Sequence, residues 1–167
     1  LRYLRGTLIP WPDAEGQGRI ALTDPIARRV ATYDSALVVL VLIRRGSREE
    51  AASVLHALFA LQRPDGSLPF SFTLPRPDDN LPYVRSGAVA WVGYAATEYL
   101  DADRGGPSRS EALMLARGAA RYLMGRMVSA RADPRDGLVR GGAGVYRYDL
   151  DATGRVEERL ESADIPW

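Results

Sequence analysis

The chain has 167 residues, 46% hydrophobic and 26% charged, which is ordinary globular composition and enough for one domain with a real core. Its 22 basic and 21 acidic residues leave a formal charge of +1, so no global attraction to nucleic acid or to an anionic membrane is expected. With no cysteine and a single histidine, His56, the composition excludes disulfides, thiol catalysis and a Cys/His metal constellation, and no cofactor or metal is expected. Every basic residue is arginine and none is lysine. Beside an Ala-rich, Asn-poor composition this reads as genomic base bias, so arginine abundance is poor evidence for phosphate recognition, and pairs such as Arg28 and Arg29 read as solvated surface. The compartment is left open.

Residues 1 to 31 carry Pro10, Pro12, Gly16, Gly18 and Pro25, a spacing of breakers that forbids a long helix. Ile9 and Trp11 can cover one end of the core. Asp13, Glu15 and Asp24 are close enough to serve a site, although loop acids are commonly solvated. The run from Thr32 to Ile43 is then apolar at nearly every position and too short to span a bilayer. It predicts a core helix from about Asp34 to Arg45, enclosed on all sides and stopped by Gly46. Ser47 and Glu50 form a capping-box pattern that opens a second helix to about Gln62, with Ala51, Val54, Leu55, Leu58 and Leu61 on one stripe. His56 lies beside that stripe and reads as a structural or surface histidine.

After a turn at Asp65-Gly66, alternation of Leu68, Phe70, Phe72 and Leu74 with smaller residues predicts a short strand, and Pro75, Pro77 and Pro82 keep the chain extended to Val84. A third helix, nearly all apolar, is expected from Ser86 to about Leu100. A second capping-box pattern, Ser108 to Glu111, opens an amphipathic fourth helix ending near Val128. Beyond Asp136-Gly137, residues 145 to 150 and 155 to 160 flank Asp-Ala-Thr-Gly and predict a β-hairpin. A third buried helix is due at the end, near Asp164.

A unit therefore repeats: buried helix, short link, amphipathic helix, Asp-Gly, extended excursion. Buried helices alternating with amphipathic ones fit two concentric rings, so the fold class expected is mainly α, an α/α toroid segment of about two and a half helical hairpins with a small β-hairpin excursion. Residues 1 to 167 read as a single domain, an incomplete segment of an (α/α)6 barrel. Its inner helices would lie against the remainder of the barrel or against a second copy. The long excursions all arrive at the N-terminal ends of the buried helices, which is where a site is expected.

Thr32-Tyr-Asp-Ser-Ala-Leu, Leu61-Gln-Arg-Pro-Asp-Gly-Ser-Leu-Pro-Phe, Val84-Arg-Ser-Gly-Ala-Val-Ala-Trp and Asp136-Gly-Leu-Val-Arg-Gly-Gly resemble the bacterial six-hairpin glycosidase-like (α/α)6-barrel proteins over about residues 30 to 167. The Gln-x-x-Asp-Gly element also recurs in terpenoid cyclases and prenyltransferases on related toroids. The resemblance implies a carbohydrate-active, glycoside hydrolase-like protein acting on a poly- or oligosaccharide. Such hydrolysis needs two carboxyl groups flanking the scissile bond.

Asp34, after Tyr33 at a buried-helix start, is the first catalytic candidate, with capping of its own helix as the alternative. Asp164 is the second, with Glu161 close enough to substitute. Tyr33, Tyr83, Arg85 and Trp91 are candidate substrate-binding residues. Arg85 can bind a uronate or hydroxyls through its planar fork or pair with a neighbouring Asp, and Trp91 can stack on a sugar or pack in the core. Packing is the simpler role for Phe70 and Phe72. Two further readings stay open. One is a non-catalytic glycan-binding or interaction protein on the same toroid. The other is a terpenoid cyclase-like enzyme, for which Asp78-Asp79 is a poor match to the acidic motif required.

Overall fold

The computed structural model describes residues 2–12, 16–74, 83–106, 108–150, 153 and 156–165, and of 145–150 and 156–165 the backbone alone. The acids at 13 and 15, the prolines at 75, 77 and 82, and the Asp78-Asp79 pair lie outside the described residues.

The breaker-rich opening holds one short helix, α1 (Arg2–Thr7), and a small antiparallel pair, β1 (Leu8–Pro10) with β2 (Arg19–Ala21), in which Ile9 faces Ile20. Trp11 is buried and meets Phe72 edge-on at 5.8 Å, so it covers the core as its position predicts. Then come β3 (Arg29–Ala31), α2 (Thr32–Arg44), α3 (Arg48–Leu61) and β4 (Ser71–Thr73). The same order follows again as β5 (Val84–Arg85), α4 (Ser86–Ala102), α5 (Arg109–Gly125) and β6 (Gly142–Leu150), with β7 (Val156–Ile165) closing a hairpin on β6. The protein is mainly helical among the described residues, with small antiparallel strand pairs.

The repeat is more regular than expected. In the first unit β4 pairs with β3, the strand that runs straight into α2; in the second β6 pairs with β5, the strand that runs straight into α4. The two units sit side by side through α2 against α4, while α3 backs α2, α5 backs α4 and α3 touches α5. Val39, Leu42, Leu55, Leu58, Val89, Val92, Tyr99 and Leu115 fill the space between these layers with under 2% of their surface exposed. Each such side chain contributes roughly 1.5–3 kcal/mol by leaving water.

Local chemistry explains the boundaries. Gly46 ends α2 at φ +73°, its N–H bonding the Ile43 carbonyl and the Ser47 N–H bonding the Leu42 carbonyl, the two bonds of a Schellman turn. Helices α3 and α5 start where the capping-box patterns place them, yet neither serine makes a side-chain cap. The glutamates of both boxes are drawn to distant bases instead. Glu50 accepts Nε and Nη2 of Arg5 at 3.0 and 2.9 Å, and Glu111 lies 3.1 Å from Nδ1 of His56.

Three expectations are corrected. The core run is not enclosed on all sides, since Val41 is 39% exposed, and α4 leaves Gly87, Ala90, Trp91 and Tyr94 open on one line. Helix α5 ends at Gly125 rather than near Val128, because Met127 leaves it to bridge with Val139. The terminal hairpin spans 142–150 and 156–165, longer than expected. Asp164 therefore lies inside a strand, paired across to Ala143, and not at a helix start.

The Gln-x-x-Asp-Gly element has a structural role. Gln62 donates through Nε2 to the carbonyls of Gly66 (3.2 Å) and Leu115 (3.1 Å), which pins the turn to α5. Asp65 accepts the Ser67 N–H at 2.9 Å. Gly66 has φ +90° and lies so close to Gly118 that a Cβ there would run into the Gly118 carbonyl. Gly66→Ala should therefore destabilise the protein by roughly 1–3 kcal/mol, read from the midpoint of urea unfolding.

A second link fastens the far end of α4, where the Tyr99 hydroxyl donates to Asp103 at 2.8 Å. Burial, and then this bond to a carboxylate, push the Tyr99 hydroxyl up to about 12. An unfolded tyrosine ionises near pH 10, so between about 10 and 12 the folded chain holds a proton that the unfolded chain has lost. Stability from this group should be complete below pH 10 and fall as pH rises toward 12, and Tyr99→Phe should flatten that fall in urea unfolding compared across the range.

Candidate functional site

Each unit begins its first helix in the same way. The Thr32 N–H donates to the Phe70 carbonyl at 3.0 Å and its hydroxyl donates to the Pro69 carbonyl. The Ser86 N–H donates to the Gly141 carbonyl at 2.9 Å and its hydroxyl to the Arg140 carbonyl at 2.6 Å. Both side chains are buried. Two consecutive carbonyls of each excursion are thereby held against the N-terminal end of α2 or α4.

Asp34 is the third residue of α2. The residue that should cap this helix, Ala31, has extended backbone and no side chain able to do so. Thr23 fills the gap, since its hydroxyl accepts the Ala31 N–H at 2.9 Å and donates to Oδ2 of Asp34 at 2.7 Å. This is a capping box relayed through a borrowed hydroxyl, and it puts a carboxylate where the helix dipole favours negative charge.

Aromatic rings run from Tyr33, the residue before Asp34, onto α4. Tyr33 meets Trp91 edge-on at 5.7 Å, and Trp91 meets Tyr94 edge-on at 5.8 Å. Trp91 is 37% and Tyr94 45% exposed, so Trp91 does not pack in the core. Trp91 and Tyr94, with Gly87 and Ala90, line a shallow apolar recess of about 310 Å³. The Glu98 carboxylate, hydrogen-bonded to the Tyr94 hydroxyl, holds that group above its ordinary ionisation range.

The remaining candidates are placed as follows. Arg85 lies over the Tyr83 ring with its guanidinium carbon 4.7 Å from the centroid, and Phe70 meets Tyr83 edge-on at 5.2 Å. Tyr83 is 5% exposed, so its ring supports Arg85 and presents little surface of its own to a substrate. Asp164 shares the β5–β6–β7 sheet with Arg85, one pair along, and its side chain and that of Glu161 lie outside what is described. The fold thus brings together Tyr33 with Trp91, and Tyr83 with Arg85. Among the described residues Asp34 makes no hydrogen bond, ion pair or ring contact with Arg85 or Trp91 and is held by Thr23. Phe72 is fully buried, as simple packing predicts. Thr23, Thr32 and Ser86 escaped the sequence reading; the one available signal was a hydroxyl residue opening both buried helices.

Among the described residues no group of three or more His, Cys, Asp or Glu side chains could hold a metal ion, and no helix is long and apolar enough to cross a membrane. A comparison with protein-family models, with curated proteins and with solved structures finds no match to this chain.

The relayed cap is testable by stability alone. Asp34→Ala and Thr23→Val should each cost about 0.5–2 kcal/mol, while Asp34→Asn, which still accepts the threonine hydroxyl, should cost little. The double variant Thr23→Val/Asp34→Ala should lose less than the sum of the two single changes in urea unfolding, because both act on one bond chain.

Proposed function

We propose that the chain is a segment of an α/α toroid in a carbohydrate-active, glycoside hydrolase-like protein, and that its glycan lies along the Tyr33–Trp91–Tyr94 surface. The observation that carries this reading is the half-exposed run of edge-on rings beside the N-terminal end of α2, an apolar shelf with polar tips of the kind that stacks on sugar faces. Asp34 supplies a carboxylate at the same helix end, with Asp164 as its partner carboxyl group and Arg85 contributing donors to hydroxyls or a uronate. Val41, exposed on α2 away from the α4 recess, supports a ring completed by the remainder of the barrel or by self-association.

One observation favours the second reading, a glycan-binding protein without catalysis. Asp34 already spends its carboxylate on Thr23, and its partner there is a hydroxyl and not a second carboxyl group. Affinity electrophoresis through a panel of polysaccharides, combined with assay of released reducing ends, separates the two. Trp91→Ala should abolish retention in either case. In the hydrolase reading Asp34→Asn leaves retention intact and lowers turnover by about 10² or more; in the binding reading neither protein releases sugar. Retention of Trp91→Ala equal to that of the parent chain would remove the aromatic surface from both.

A further inference from the structure

A second recess lies on the opposite side of the helical layers, between the Arg63 turn and the outer face of α5, with a volume of about 330 Å³. Three arginines line it, Arg63, Arg117 and Arg121, with Phe59 and Met114 as apolar walls, and none of the described residues lining it is acidic. Arg117 and Arg121 are one helical turn apart, an arrangement of like charges that is unfavourable by itself. Arg121 leans toward the turn, its Nη1 reaching the Pro64 carbonyl at 3.5 Å.

Arg63 is the more telling group. Its backbone is fixed at both ends, the N–H to the Ser67 carbonyl at 3.0 Å and the carbonyl to the Gly66 N–H at 2.8 Å, and the neighbouring Gln62 is tied to α5. The side chain is thus carried on a rigid turn pressed against α5. Its Nη2 atom is buried and has no hydrogen-bond partner among the described residues. A buried guanidinium donor without an acceptor is costly, which distinguishes this group from the solvated arginines elsewhere on the surface.

We propose that this recess binds a tetrahedral oxyanion, a phosphate or sulfate group, with Arg63, Arg117 and Arg121 each presenting donors to it. A carboxylate neutralises one of three positive charges. A phosphate group carries about −1.5 to −2 at neutral pH and offers three acceptor oxygens, which matches three guanidinium forks. The site is independent of the aromatic surface on α4, so each assignment can fail without the other.

The test is calorimetric titration of the full chain with sodium phosphate at constant ionic strength, with sodium sulfate and sodium acetate in parallel. Saturable binding of phosphate or sulfate, at least ten-fold tighter than acetate, is expected. Arg117→Gln and Arg121→Gln each weaken it ten-fold or more, with circular dichroism unchanged because both positions are exposed on α5. Arg104→Gln, on an exposed turn outside the recess, leaves it alone. Glucose 6-phosphate and glucose 6-sulfate separate the two sources of such a group, the tighter one naming the ester. Absence of saturable binding by any of the tetrahedral anions, acetate binding as tightly as phosphate, or undiminished affinity in Arg117→Gln/Arg121→Gln overturns the proposal.

Discussion

The paired bonds from Thr32 and Ser86 are the constraint on which the rest depends. In each unit one residue closes the N-terminal end of a helix with its N–H and anchors the incoming excursion with its hydroxyl. A helix N-terminus leaves backbone donors without intrahelical acceptors, and here one carbonyl of a neighbouring segment takes the first of them in each unit. The arrangement satisfies buried polar groups on both partners at once. It also fixes the height at which the excursion crosses the helix end, and hence where Tyr83, Arg85 and Asp34 can lie. A hydroxyl-free residue at position 32 would leave the carbonyl of the buried Pro69 without this donor.

The outer ends of the units are held by close approach. Gly66 and Gly118 let the turn after α3 rest on the backbone of α5, and Gln62 bridges the two at the same level. This contact makes the two units one body on their outer side, as α2 against α4 does on the other. The same rigidity that carries Arg63 into its recess is a by-product of that packing.

Much of this order is legible in residue patterns. Helix identity follows from the apolar runs and stripes, and Gly46 marks a stop that the φ angle bears out. The short strands leading into α2 and α4 were hidden, because Arg29–Ala31 and Val84–Arg85 are too brief to show alternation and owe their shape to partners far along the chain. Capping was half visible. Serine and glutamate marked the helix starts, but Arg5 and His56 approach from distant segments and take the glutamates, and a threonine eight residues upstream of Ala31 does the capping for α2. The exposed face of α4 was misjudged for a related reason. An all-apolar helix implies that something covers it, and composition is silent on whether the covering group belongs to the same stretch of chain.

The strand pairs have a consequence for how the fold comes apart. Ala31 pairs with Ser71 and Val84 with Ala143, so each helical hairpin is tied off by its own strand pair and forms a closed loop of chain. Closing a loop of this length is slow relative to helix formation but adds only modestly to the entropy cost. Each unit thus keeps its own closure, while α2 against α4 and the Gln62 bond to the Leu115 carbonyl tie the two together, so opening one unit costs contacts of the other as well. A chain built in this way lengthens or shortens by whole units, since each one brings its own closure with it.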